Sequence, residues 1–249
     1  MKNERQSEIE RGRNFLKANW DKIESIETDQ EKGLPYPELQ KRCPEGAELI
    51  DLVSPEKLTI GKMFLIDAIK NRKSRREYTN GSLTLEELSF LLYATQGVRK
   101  SAKKYSFRTV PSGGARHSFE TYLFISRVDG LKRGLYRFLP FDNKLCVLSL
   151  DDNLEYRAND ALFGQNWKSA VTFMWTTIPY RMEWRYSIIS HKIVAIDAGH
   201  LCQNLYLACE SIGCGTCAIG AYDQDKMDEL LNVDGKDEFA IYAAPVGKL

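Results

Sequence analysis

Hydrophobic positions crowd most densely between residues 196 and 222, IDAGHLCQNLYLACESIGCGTCAIGAY. Ile196, Gly199, Cys202, Leu205 and Cys209 fall at i, i+3, i+6, i+9 and i+13, and Ala198, Leu201, Tyr206, Ala208 and Ile212 fill most of what remains. That spacing predicts a helix apolar nearly all round, hence one placed inside a core or an interface. Gly213 and Gly215 stop it, because glycine takes the positive φ that a helix end needs. The AIGAY run that follows is small and apolar, so its backbone can come close to a flat ligand.

Elsewhere the pattern is mixed. Residues 5–20 predict an amphipathic helix ending near Trp20. Residues 27–60 hold four prolines and two glycines, which predicts an extended arm. An arm of that length must lie on something, either its own domain or a partner subunit. A helix over residues 60–70 follows, then a turn at Asn80-Gly81. Thr84 and Glu87 form a capping box opening a helix to about Ala94, stopped by Gly97. Continuous apolar runs predict strands over residues 119–128, 134–138, 170–178 and 239–246. Helices and strands do not alternate strictly, which favours α+β over a doubly wound sheet. There is no internal repeat.

Bulk properties narrow the class. A chain of 249 residues buries a sizeable core and favours one domain. Net charge is +1, so no bulk electrostatic drive toward nucleic acid or an anionic membrane exists. No run approaches the roughly 18 apolar residues of a membrane span. The amino end, MKNERQSEIERGRNF, carries charges where a secretion signal would be apolar. Six cysteines in such a chain predict reduced thiols and a cytoplasmic location.

Three segments could carry chemistry. In Arg72-Lys73-Ser74-Arg75-Arg76, an extended backbone puts Arg72, Ser74 and Arg76 on one face. Two guanidinium forks and a hydroxyl suit a phosphate or an electron-rich ring edge. The alternative is a solvated basic run favoured by a helix dipole. The loop Pro111-Ser112-Gly113-Gly114-Ala115-Arg116-His117 presents free N–H groups to an anion or carbonyl, or simply connects two elements. No nucleotide-triphosphate loop and no Rossmann fingerprint occurs. Cys214 and Cys217 have a ligand and redox spacing, but no second pair accompanies them, and Cys202 and Cys209 read as small hydrophobes; no metal site is expected. His117, His191 and His200 form no triad, and no two carboxylates form a dyad, so an enzyme built on this chain would draw its hard chemistry from a cofactor.

In order stand Arg72-Lys-Ser-Arg-Arg76 with Tyr78, Pro111-Ser-Gly-Gly-Ala-Arg-His117, Gly134-Leu-Tyr-Arg137, Ala198-Gly-His-x-x-Gln-Asn204 with Gly213-x-Gly215, Ile219-Gly220, and Pro245-Val-Gly247. This ordered set resembles the nitroreductase-like FMN-dependent oxidoreductases, in the branch of azoline dehydrogenase-like (SagB-type) stand-alone members. The likeness covers residues 60–249 in motif detail, and the arm resembles the leader of stand-alone members.

The resemblance implies an α+β fold, an α/β/α sandwich around a mostly antiparallel sheet, working as an intertwined homodimer with FMN at the subunit interface. Residues 1–59 would be a helix and arm packed on the core or partner, and 60–249 the FMN-binding domain. Arg72, Lys73, Ser74 and Arg76 would hold the phosphate, ribityl chain and pyrimidine edge. Pro111, Ser112, Gly113, Gly114 and Ala115 would approach the ring from the partner subunit; Ala218, Ile219 and Gly220 would lie against its reactive edge; Gly247 and Lys248 would close the phosphate end. The implied activity is hydride transfer from NAD(P)H through flavin to a nitro, quinone or similar small electrophile, in a ping-pong cycle. The alternatives are oxidation of a peptide azoline or other organic donor, or flavin binding without turnover. Azoline dehydrogenases carry a Lys-Tyr pair implicated in proton removal where this chain reads Glu183-Trp184-Arg185-Tyr186, and arginine is a poor base. Ser118 stands where a proline is common. Both departures favour a stand-alone reductase.

Overall fold

The structure is a computed structural model describing residues 2–249, with side chains from residue 4 onward. Along the chain run α1 (Lys2–Phe15), β1 (Leu49–Asp51), α2 (Leu65–Asn71), α3 (Leu85–Gln96), β2 (Val98–Ala102), β3 (Tyr105–Arg108), β4 (Phe119–Ile125) and β5 (Gly134–Leu139). They are followed by β6 (Lys144–Ser149), α4 (Leu154–Ala161), β7 (Val171–Thr177), α5 (Tyr180–Tyr186), α6 (Ser190–Ser211), β8 (Cys214–Thr216), α7 (Gln224–Leu231) and β9 (Phe239–Lys248).

Seven strands form one sheet in the order β1-β6-β5-β4-β7-β9-β8, and every pairing is antiparallel. The central strands read as unbroken apolar runs because both faces are covered. Alternation along β4 sends Leu123 and Ile125 into a core with Leu88, Leu91, Leu201 and Leu205 of α3 and α6. Its other residues, Tyr122 and Phe124, join Ala158, Ala161, Met227 and Leu230 of α4 and α7. The expected α+β sandwich around an antiparallel sheet is therefore met. Among the described residues no helix is long and apolar enough to cross a membrane.

Several boundaries differ from the sequence reading. α1 ends at Phe15, short of Trp20, and its described side chains are exposed, so no apolar face anchors it. α2 starts only at Leu65: Gly61 takes φ +73°, and Phe64, at φ −61° and ψ 137°, is the extended N-cap. The capping box of α3 forms in both directions: the Thr84 N–H donates to Glu87 Oε2 at 2.8 Å, and the Glu87 N–H to Thr84 Oγ1 at 3.1 Å. β4 stops at Ile125, where the Ser126 and Arg127 N–H groups both turn to the Ala170 carbonyl. The β2–β3 hairpin, unforeseen, forms a separate two-stranded unit.

The arm lies on its own chain. Buried side chains reach out to its backbone: Arg108 Nη2 donates to the Leu39 carbonyl at 3.0 Å, Arg137 Nη2 to Arg42 at 2.6 Å, and Trp184 Nε1 to Leu34 at 3.1 Å. Glu120 accepts from the Lys41 N–H at 2.8 Å while paired with Arg181 at 2.6 Å. These charges satisfy backbone groups that no strand pairs.

α6 is longer than predicted and only partly enclosed. Val194, Asp197, Ala198, Leu201, Cys202, Leu205 and Cys209 are buried, but Ala195, Ile196, Gly199 and Gln203 face outward, with Ile196 50% exposed. The apolar periodicity describes two stripes, one in the core and one uncovered in a single chain.

Candidate functional site

Residues 72–79 leave α2 and run irregularly along the sheet end formed by β8 and β9. The Arg75 N–H donates to Thr216 O at 3.0 Å and the Thr79 N–H to Lys248 O at 2.9 Å. The Tyr78 hydroxyl bridges Arg75 O and Pro245 O at 2.8 and 3.1 Å. Glycines permit this approach: a Cβ on Gly215 would lie 2.7 Å from Arg75 Cδ, and one on Gly247 2.5 Å from Tyr78 Cγ. Arg75 turns inward and meets Glu210 of α6 at 3.1 Å.

With Arg75 anchored, its neighbours turn to Tyr206, one turn before Glu210. The Arg72 guanidinium sits 5.4 Å from the Tyr206 ring centre, and Ser74 Oγ lies 2.9 Å from its hydroxyl. That hydroxyl also accepts the Ala218 N–H at 2.8 Å. Arg72, Ser74 and Ala218 thus converge on one phenol. Lys73 is exposed, and Arg76 lies over the Trp167 ring at 5.7 Å. Among the described residues Arg72, Lys73 and Arg76 have no carboxylate within 4 Å, unlike Arg75. Arg72 beside the Ser74 and Tyr206 hydroxyls is a donor set suited to a phosphate, with Lys73 and Arg76 as further cations of the same segment.

The other expected site residues are placed as follows. Ile219 is buried and exchanges backbone hydrogen bonds with Ala243 at 2.7 and 3.1 Å, its side chain in the core beneath α4 and α7. Gly220 is exposed, with open space where a Cβ would stand. Gly247 pairs with Gly215 in the sheet. The Lys248 ammonium is engaged by Glu87, so its charge is already matched.

The 111–115 loop sits elsewhere, against the first half of α6. The Gly113 N–H donates to Asp197 Oδ2 at 3.2 Å. Burial raises the Asp197 carboxyl above its usual range, while its bonds to Ser112 and Gly113 pull the other way. Ser112 Oγ accepts the His117 N–H at 2.9 Å. Gly114, Ala115 and His117 all take left-handed φ values of 56°, 55° and 47°. Asp197 and Tyr206 are nine residues apart, about 14 Å along a helix. One chain therefore does not bring this loop to the Arg72–Ser74–Ala218 cluster.

Five of the six cysteines are buried, and Cys43 is half-buried. Burial pushes the thiols of Cys202 and Cys214 up to about 12 and that of Cys209 well above the ordinary value. All six are free of disulfides, and among the described residues no group of three or more ligating side chains could hold a metal. The sequence marks Asp197 and Glu210 as buried-helix carboxylates in need of partners and Tyr78 as part of the ordered motif, but it assigns no role to Tyr206 or Tyr78 and does not identify Arg75 as the partner of Glu210. The available signal was Tyr206 and Glu210 four apart on an otherwise apolar helix, hence on one face and in need of polar partners.

The sequence profile of the Nitroreductase family matches residues 69–248. A candidate nitroreductase of Methanocaldococcus jannaschii, MJ1384, is 31% identical over 191 residues, covering 76% of this chain and 93% of that protein. A crystal structure of a candidate nitroreductase from Ralstonia eutropha superposes with a TM-score of 0.66 at 26% identity, over 86% of this chain and 98% of the other. A chain of the Escherichia coli microcin synthetase McbBCD complex, crystallised with truncated pro-MccB17, shares the fold at TM-score 0.60 and 16% identity, over 82% and 79% of the two chains.

Proposed function

The chain belongs to the nitroreductase family and is an oxidoreductase, and from that premise we propose that it binds FMN and passes hydride from NAD(P)H to a small electrophile such as a nitroarene or quinone, in a ping-pong cycle. One observation carries this reading: Arg72 and Ser74 meet Ala218 on Tyr206, and Arg72 has no carboxylate within 4 Å among the described residues. A phosphate would supply the missing negative charge.

In this reading Arg72, Lys73, Ser74 and Arg76 hold the phosphate end and Ala218 and Gly220 form the small-residue surface for the ring. Gly247 lets the 72–79 segment close onto β9. FMN, when bound, supplies the two-electron chemistry that no side-chain constellation here provides. The chain's own part is to bind, orient and exclude water. Tyr206 fixes the spacing between the phosphate end and the ring surface, since it is bonded to both.

The homodimer belongs to the same reading. The 111–115 loop stands too far from the Arg72 cluster within one chain, and a second copy would bring it in. The outward stripe of α6 and the apolar side chains at the start of α2, where Leu65 is 65% and Ile66 56% exposed and Phe64 just before it 79%, are surfaces such a partner would cover. Azoline oxidation receives no support from α5, where Arg185 offers no base and Glu183 is bonded to His191 at 2.9 Å.

The test is direct. Purified protein is expected to be yellow with stoichiometric FMN, to bleach anaerobically with NADH or NADPH, and to give parallel double-reciprocal plots with a nitroaromatic or quinone. Light scattering should return the mass of a dimer. A colourless protein that takes up no FMN on reconstitution would sink the proposal.

A further inference from the structure

Beside the 111–115 loop the fold leaves a cavity of about 920 Å³, walled by the β2–β3 hairpin, the end of α5 and Gln30 of the arm. Its charge is one-sided. Arg99, Lys104, Arg108, Arg116 and Arg185 line it, and no aspartate or glutamate does. Arg108 and Arg116 hold the wall together through neutral acceptors: Gln96 and Leu39 for the first, at 2.8 and 3.0 Å, and Gly114 and Lys104 carbonyls for the second. Neutral acceptors satisfy hydrogen bonds without cancelling charge. Lys104 and Arg185 are exposed, with no carboxylate within 4 Å among the described residues. Two buried carboxylates lie behind the wall: Glu120 is paired with Arg181 at 2.6 Å, and Asp197 accepts the Gly113 N–H at 3.2 Å, its carboxyl raised above the usual range by burial. A concave wall of one sign focuses its field and concentrates ligands of the other.

The same wall is aromatic. Tyr105 and Phe107 occupy alternate positions of β3, 40% and 43% exposed, with ring centres 5.2 Å apart. Trp184 lies across the cavity with the Arg116 guanidinium over its ring at 5.3 Å. Exposed rings beside unpaired cations recognise a planar body carrying negative charge.

We propose that this cavity is the acceptor subsite and that its substrate class is an aromatic carboxylate bearing a reducible nitro or quinone group, the carboxylate bound by Lys104 and Arg185, the ring against Tyr105 and Phe107, and the nitro or quinone group taking the two electrons. The acceptor role rests on the oxidoreductase reading; the preference for an aromatic anion rests on the cavity alone.

The experiment compares 2-naphthoate with 2-naphthamide by titration calorimetry on the FMN-loaded protein. The carboxylate should bind about tenfold tighter, as expected of charge-assisted contacts. That advantage should shrink as salt rises. In a Lys104→Ala/Arg185→Ala variant the ratio should collapse toward one; if that variant misfolds, the salt dependence of the native protein decides. Equal affinity for the two probes, or a preference indifferent to salt, overturns the inference. A nicotinamide nucleotide shares this chemistry, so NADP+ is titrated separately. NADP+ binding tighter than 2-naphthoate, and weakened in the same variant, would reassign the cavity to the electron donor and overturn the acceptor role. A catalytic arm compares KM for 4-nitrobenzoate and 4-nitrobenzamide. Turnover of both at equal KM keeps the oxidoreductase reading and sinks this one. A naphthoate preference with no turnover of any acceptor keeps the aromatic-anion site and overturns its acceptor role together with the proposed reaction.

Discussion

The hydroxyl of Tyr206 stands 2.9 Å from Ser74 Oγ, joining the irregular segment after α2 to the C-terminal part of the long helix α6. The same oxygen accepts the Ala218 N–H, so one phenol sets the spacing between two segments far apart in sequence. The ring below carries the Arg72 guanidinium. A single side chain thereby couples Arg72, Ser74 and Ala218 in the proposed flavin site.

Tyr206→Phe separates these roles, since the ring stays and the oxygen goes. The Ala218 N–H loses its partner, which costs about 1–2 kcal/mol. FMN affinity should fall by roughly tenfold, while the protein stays folded. Quenching of FMN fluorescence on titration measures this, and an unchanged Kd would remove Tyr206 from the site.

Arg75 and Glu210 anchor the same segment from inside. Their side chains are 22% and 7% exposed, so Glu210→Ala leaves a cation in a largely enclosed place. Losing a buried pair costs several kcal/mol, and the partial exposure of Arg75 brings the expectation down to about 2 kcal/mol. Thermal melting should drop by about 4–8 °C for a chain of this size. Retained FMN should fall as well, because Arg72 and Ser74 ride on the loosened segment. A lower melting point with full flavin content would confine the pair to stability.

The parts legible in the sequence are those whose signal is local. β4, β5, β7 and β9 were readable because burial on two faces leaves an unbroken apolar run. The capping box of α3 was readable because its chemistry spans four residues. The β2–β3 hairpin escaped notice because Val98–Ala102 is polar and mostly exposed, with no apolar alternation. β1 is three residues long and exists through its pairing with β6. The Arg72 to Arg76 run displays its charge but not its direction: which arginine turns inward depends on Glu210, over a hundred residues away. For α6, periodicity shows an apolar helix and cannot distinguish the stripe under the sheet from the stripe bearing Ile196, since both demand cover.

Gly247→Ala tests the closeness of the 72–79 segment to β9. The added methyl would lie 2.5 Å from Tyr78 Cγ and 2.7 Å from its Cβ, atoms near the backbone that cannot swing away. Overpacking of this kind costs about 1–3 kcal/mol. Urea unfolding should show the loss, and Tyr78→Ala in the same chain should return part of it. Additivity of the two changes would contradict a direct clash.

His117 makes the protein sensitive to acid. It is 4% exposed, held at a left-handed φ, with Nε2 3.0 Å from the Ser106 carbonyl, so the neutral ring donates there. Burial first, and the cations Arg108, Arg116 and Arg181 after it, push its pKa down to about 3, against the Ser106 hydrogen bond. The unfolded chain takes up this proton near the ordinary value of about 6.5. Between those two values the unfolded state binds a proton that the folded state refuses, so stability falls as pH drops from about 6.5 toward 3 and is flat in this respect above. The whole effect is on the order of a few kcal/mol. His117→Gln keeps an N–H donor and removes the titration. Its melting temperature should therefore decline less steeply than the native protein's between neutral pH and about 4. Parallel curves for the two proteins would assign the acid sensitivity to other groups.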